Sequence, residues 1–97
     1  MITASDLLSE FYPPRLAKKF ILFLNAQGIK FRVNESGTQS IYFSVSGQGK
    51  QIKIRFSGHG IPVYQRIQKF REVDLSVDPD SGHTYEDAVS LVSEMVA

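Results

Sequence analysis

The chain contains no cysteine. That removes disulfide cross-links and thiolate metal sites, and it fits a reducing compartment. Long apolar runs are missing too. The longest, FILFL at 20–24, falls far short of the ~20 residues a membrane-spanning helix needs. The opening stretch MITASDLLSEF has no basic segment and carries Asp6 and Glu10, so no signal peptide is expected. No phosphate loop, dinucleotide fingerprint or nucleophile elbow is present. Histidine is scarce, with His59 and His83 alone. These absences make a cytoplasmic protein without membrane spans, cofactor or metal the expectation.

What remains is an ordinary globular composition in 97 residues, 42% hydrophobic and 22% charged, which is the size of one domain with one modest core. The net charge of +1 conceals a segregation. All 11 Lys and Arg lie between Arg15 and Arg71, where Glu35 is the single acid, so this interval carries +10. The other nine acids, Asp6, Glu10 and seven from Glu72 to Glu94, give the flanks −9. Such asymmetry suggests a polyanionic partner. The competing reading is that the acidic carboxy-terminal elements fold back and neutralise the basic middle.

The local patterns are clearer. Thr3 and Asp6 approximate a capping box for a short first helix, which the prolines of Tyr12-Pro13-Pro14 end. A second helix is expected over roughly 14–27, with Leu16, Ala17, Phe20, Ile21, Phe23 and Leu24 on its apolar side and Gly28 ending it in the left-handed conformation. Three segments then alternate with period two. Ile29, Phe31 and Val33 oppose Lys30, Arg32 and Asn34. Ile41, Phe43 and Val45 oppose Ser40, Tyr42, Ser44 and Ser46. Ile52, Ile54 and Phe56 oppose Gln51, Lys53, Arg55 and Ser57. Turns at ESGT (35–38) and GQGK (47–50) join them into an antiparallel meander with one apolar and one wet face. A helical turn or loop around VYQRIQKF (63–70) and a fourth strand around Val73, Leu75 and Val77 follow. Thr84 and Asp87 cap a last helix over roughly 85–96. The order ααβββ(α)βα makes an α+β fold, a three- to four-stranded antiparallel sheet with helices on one face.

In simple register, the wet face gathers Lys30, Arg32, Lys53 and Arg55 around Tyr42 and several hydroxyls. Cations attract phosphates, and an aromatic on a sheet can stack an unpaired base. RNA or single-stranded DNA is therefore a physically sensible partner, as is a host nucleoprotein complex. The alternative is a solvated sheet surface. Like charges on adjacent strands repel, so some counter-charge is required, and Asp74 on the fourth strand is placed to supply it. Arg15, Lys18 and Lys19 form a second basic patch at a helix start, where the dipole disfavours cations. Arg66, Lys69 and Arg71 form a third.

His59, between Gly58 and Gly60, lacks the orienting carboxylate and neighbouring nucleophile that catalysis requires, and the two histidines match no metal-site spacing. It is read as a turn residue or a binding contact, and Pro62 as the residue that keeps the strand from continuing. No catalytic residue is assigned. Two alternatives stay open: a protein-interaction inhibitor acting through the acidic carboxy-terminal region, including Asp78, Asp80, Glu86 and Asp87, and a small ribonuclease using His59.

The α-β-β-β-α core resembles the double-stranded RNA-binding fold and the HicA-type toxin ribonucleases. In the latter the catalytic histidine follows Gly-Ser on a strand. Here the order is Ser57-Gly58-His59, and that motif does not transfer. Over residues 40–92, SIYFSV, KIRFSGHGIP and VDLSVDPDSGHTYEDAVSLV resemble small uncharacterised proteins of phages and mobile elements. In these a tyrosine-containing strand precedes an Ile-Arg-x-Ser-x-His segment and a short terminal helix. The matching positions are Tyr42, Ile54, Arg55, Ser57 and His59, with Phe56 and Gly58 where the pattern has Ile and Asp. The resemblance implies a host-modulating binding protein, including an inhibitor of a bacterial defence system such as CRISPR.

Overall fold

A computed structural model describes residues 11–36, 40–58 and 73–96. The expected first helix, the helical turn at 63–70, His59 and the third basic patch lie outside these residues.

Helix α1 runs over Pro13–Ala26. It starts one residue earlier than the sequence suggests because Pro13, whose missing amide proton costs nothing at a helix start, occupies its first turn. Tyr12 precedes it without a side-chain cap. Phe23 and Asn25 carbonyls accept from the Gln27 and Gly28 amides, and the Leu24 carbonyl from Ile29. Gly28 has φ +68°, a region closed to most side chains, and there the helix turns into the sheet.

Strands β1 (Lys30–Ser36), β2 (Ser40–Gly47) and β3 (Lys50–Ser57) form the expected antiparallel meander. Lys30 pairs with Ser46 and Ser36 with Ser40 across the first pair; Ser40 pairs with Ser57 and Gly47 with Lys50 across the second. Gln48 and Gly49 both have positive φ, 53° and 74°. That is the signature of the two-residue turn whose twist matches the flanking strands. Strand β4 (Leu75–Val77) lies next to β3, giving the order β1-β2-β3-β4. It runs parallel to β3, so the sheet is mixed, which corrects the expectation of an antiparallel fourth strand. The reason is connectivity. A two-residue turn forces reversal, whereas the chain between Ser57 and Leu75 is long enough for a crossover, and nothing in the three residues of β4 encodes direction.

Helix α2 runs over Tyr85–Val96. The Thr84 amide donates to the Asp87 carboxylate at 2.8 Å, the back-bond of the expected capping box. Both helices pack on the face carrying Phe43, Val45, Ile54, Phe56 and Val77. Phe20 of α1 is fully buried at the centre, its ring 4.9 Å from Phe43 and 5.3 Å from Phe56 in edge-to-face contact, with Tyr85 of α2 at 6.1 Å. Leu16, Ala17 and Leu24 from α1, and Ala88, Val92 and Met95 from α2, complete this core. The described residues thus form an α+β arrangement, two helices on one face of a four-stranded sheet whose second face carries polar groups.

Candidate functional site

The register fixes what stands side by side on that second face. Arg32 of β1 pairs with Ser44 of β2, which pairs with Lys53 of β3. One row away are Lys30, Ser46 and Gln51; on the other side are Asn34, Tyr42, Arg55 and Ser76. Neighbouring strands are ~4.8 Å apart, so Arg32 and Lys53 emerge about two strand spacings from each other with a hydroxyl between them. Lys30, Arg32, Ser46 and Gln51 are exposed, and Ser44 and Lys53 are half-buried. A shallow groove of about 520 Å³ runs along the β1 end of this region, lined by Lys30, Arg32, Ser44, Ser46, Phe31 and Asn25 among others. Its polar side chains are two cations, two hydroxyls and the Asn25 amide.

Asp74, just before β4, lies beside Lys53 and meets its backbone. Its amide donates to the Lys53 carbonyl, and its carboxylate accepts from the Lys53 amide, both at 2.8 Å.

Arg55 corrects the sequence reading. It shares the face with Lys53 but is 1% exposed, so it does not emerge into water. Its Nη1 donates to Asp78 Oδ2 at 3.1 Å and to Ser76 Oγ at 2.9 Å, and its Nη2 donates to Ser40 Oγ at 3.4 Å. Ser76 Oγ donates in turn to Asp78 Oδ2 at 2.6 Å, while the Asp80 amide donates to Oδ1 at 2.9 Å. Ser40 Oγ donates to Ser57 Oγ, 3.2 Å away and itself fully buried. A buried charge needs a partner and hydrogen bonds, and this cluster supplies the opposite charge of Asp78 and bonds to both Nη atoms, though none to Nε. Asp78, 0% exposed, is consequently withdrawn from the acidic surface on which an inhibitor reading would draw. Glu86 and Asp87 stay exposed in the first turn of α2, where they favour the helix dipole.

Tyr42 stands opposite Arg55 and is half-buried. Burial raises its phenol above the ordinary value of 10.0, with the charge and hydrogen bond of Arg55 acting in the opposite direction. The ring is therefore neutral at physiological pH. Tyr42, Arg55 and Ser57 thus belong to one polar cluster that joins β2, β3 and β4.

Arg15, Lys18 and Lys19 are exposed in the helix layer, away from the wet face. Lys19 Nζ sits 4.4 Å from the centre of the Tyr85 ring, and Arg15 lies 5.7 Å from that of Tyr12. A small cleft of about 250 Å³ lies here, with Phe11, Arg15, Leu16, Lys19 and Tyr85 among its lining residues. The structure therefore brings Lys30, Arg32, Tyr42 and Lys53 onto one face, buries Arg55 beside them, and keeps the α1 cations apart. His83, at the entry to α2, has Nδ1 3.5 Å from Asp87 Oδ2.

Sequence reading missed the Ser76–Asp78 side of the Arg55 cluster. Residues two apart on a strand share a face, so the pair was visible as a pair. Its partner was not, because that required the parallel register of β4. Among the described residues no group of His, Asp and Glu could hold a metal ion, and no helix is long and apolar enough to cross a membrane. Comparison with known proteins finds no matching family model, no matching curated protein and no matching solved structure.

Proposed function

We propose that this chain is a non-enzymatic polyanion-binding module that engages nucleic acid, or the nucleic-acid-like surface of a host nucleoprotein, through the wet face of its sheet. The observation that carries this reading is the row Arg32–Ser44–Lys53 across three strands, with Lys30 in the next row. Lys30, Arg32 and Lys53 supply charge, Ser44 and Ser46 supply donors for phosphate oxygens, and the neutral Tyr42 ring borders the strip as a stacking surface. Unpaired strands suit such a face better than a duplex, since their bases are free to stack. The resemblance to phage and mobile-element proteins makes a host defence complex, including a CRISPR effector, the partner class to try first.

The test is fluorescence anisotropy with short labelled single-stranded RNA and DNA at two salt concentrations. Three cations on a single strand give a slope of about −2 in log affinity against log salt, so binding should weaken about 20-fold between 50 and 200 mM salt. Replacing Lys30, Arg32 and Lys53 together with Gln should abolish binding while leaving the circular dichroism spectrum unchanged. Absence of binding at low salt would rule out direct nucleic-acid recognition.

A further inference from the structure

We propose that Asn34 reads the edge of the base that stacks on Tyr42, so that the strip prefers an unpaired strand carrying adenine at that place. This names the ligand of the strip more closely and rests on the nucleic-acid reading above.

The register divides the wet face into two zones. Two rows, Lys30–Ser46–Gln51 and Arg32–Ser44–Lys53, present cations, hydroxyls and one carboxamide. The third row is Asn34–Tyr42–Arg55–Ser76. Arg55 is 1% exposed there, and the Ser76 hydroxyl is engaged by Arg55 and Asp78. What this row offers a ligand is therefore an aromatic ring and the exposed Asn34 amide, without a charge.

A single strand of nucleic acid is divided in the same way, with charge along its backbone and neutral, flat bases to one side. Neighbouring rows are about 7 Å apart, a separation that a nucleotide spans between its phosphate and its base. The match sets the orientation: phosphates over the two cationic rows, a base over the third.

Arg55 anchors the ring. It stands directly opposite Tyr42 and, itself held by Asp78, donates to the phenol oxygen. Tyr42 is thus tied on its β3 side. Asn34 is its neighbour on the β1 side, at the ~5 Å Cβ separation of a cross-strand pair. A base laid against the ring from that side brings an edge over Asn34.

A carboxamide carries a donor and an acceptor side by side, whereas Lys and Arg only donate. Adenine has an exocyclic amino donor flanked by a ring-nitrogen acceptor on each side, so it answers the amide on either edge. Guanine offers two acceptors on its major-groove edge, and a pyrimidine has one ring to stack where a purine has two. Gln51 carries the same amide but stands in a cationic row with no aromatic beside it. There it donates to phosphate and does not discriminate.

The test is fluorescence anisotropy at low salt with labelled oligouridine of one length. Its central position holds adenine, purine (which stacks alike but lacks the amino group) or uracil. The wild type should bind the adenine strand about fivefold tighter than the purine strand. Asn34→Ala should bind those two equally. Gln51→Ala should keep the difference and weaken all three alike. Both side chains are exposed, so neither variant should change the circular dichroism spectrum. Equal binding of adenine and purine by the wild type overturns the inference and leaves the strip a non-selective site. A difference that survives Asn34→Ala overturns it as well. Binding of none of the strands overturns the nucleic-acid reading, and this inference with it.

Discussion

At the residue scale the informative side chain is Arg55. Alternation along KQIKIRFS places it beside Lys53 on the wet face, and the register agrees. Its burial could not be read from that alternation, because what covers a residue depends on elements distant in sequence. Asp78, 23 residues on, reaches it only through the parallel pairing of β4. The pair is a buried salt bridge, and removing one member leaves a charge without compensation. Arg55→Ala should therefore cost about 3–5 kcal/mol, visible as a lower urea midpoint at unchanged slope. The double variant Arg55→Met with Asp78→Leu should recover most of that loss, since well-packed apolar replacements of a buried pair are often neutral. If Arg55→Ala proves as stable as the wild type, the pair does not anchor β4.

At the element scale the strands were the most legible. Period-two alternation over three successive segments, punctuated by Gly-Gln-Gly, leaves little freedom for register, because a one-residue slip would turn every apolar side chain to the wet face. The apolar side of α1 was legible for the same reason at helical spacing, and Thr84 and Asp87 marked the start of α2. The turn between β2 and β3 depends on two positive φ values. Gly49→Ala would put a Cβ in that region and should destabilise the chain by about 1 kcal/mol. Thermal denaturation measures this directly, and an unchanged or higher midpoint would show that the turn tolerates a side chain there. The direction of β4 was not legible, since a three-residue strand after a long connection carries no local mark of orientation.

At the scale of the whole molecule, the charge segregation divides. The basic middle contributes a cationic row on one face of the sheet and a separate patch in the helix layer. The acidic flank supplies Asp78 to the interior and Asp74 to the side of Lys53. An acid of the flank thus neutralises Arg55 of the basic middle, while Lys30 and Arg32 remain exposed. The two layers are held at Phe20, whose ring meets Phe43, Phe56 and Tyr85. Phe20→Ala should cost about 3–5 kcal/mol and, by loosening α1 and α2 together, should lower protection of amides in both helices in hydrogen exchange. Loss of protection in α1 alone would show that the ring does not couple them.

The sequence by itself determined the composition of the faces. Spacing alone decides which residues of a strand or helix look the same way, and that is a property of local backbone geometry. It therefore placed Lys30, Arg32, Tyr42, Lys53 and Arg55 on one side of a sheet. Only the tertiary structure decided which of them meet water. The parallel docking of β4 brought Asp78 and Ser76 to Arg55 and buried it, while β1, left at the edge, kept Lys30 and Arg32 in solvent. Burial and edge position depend on contacts between distant segments, and no local pattern encodes them.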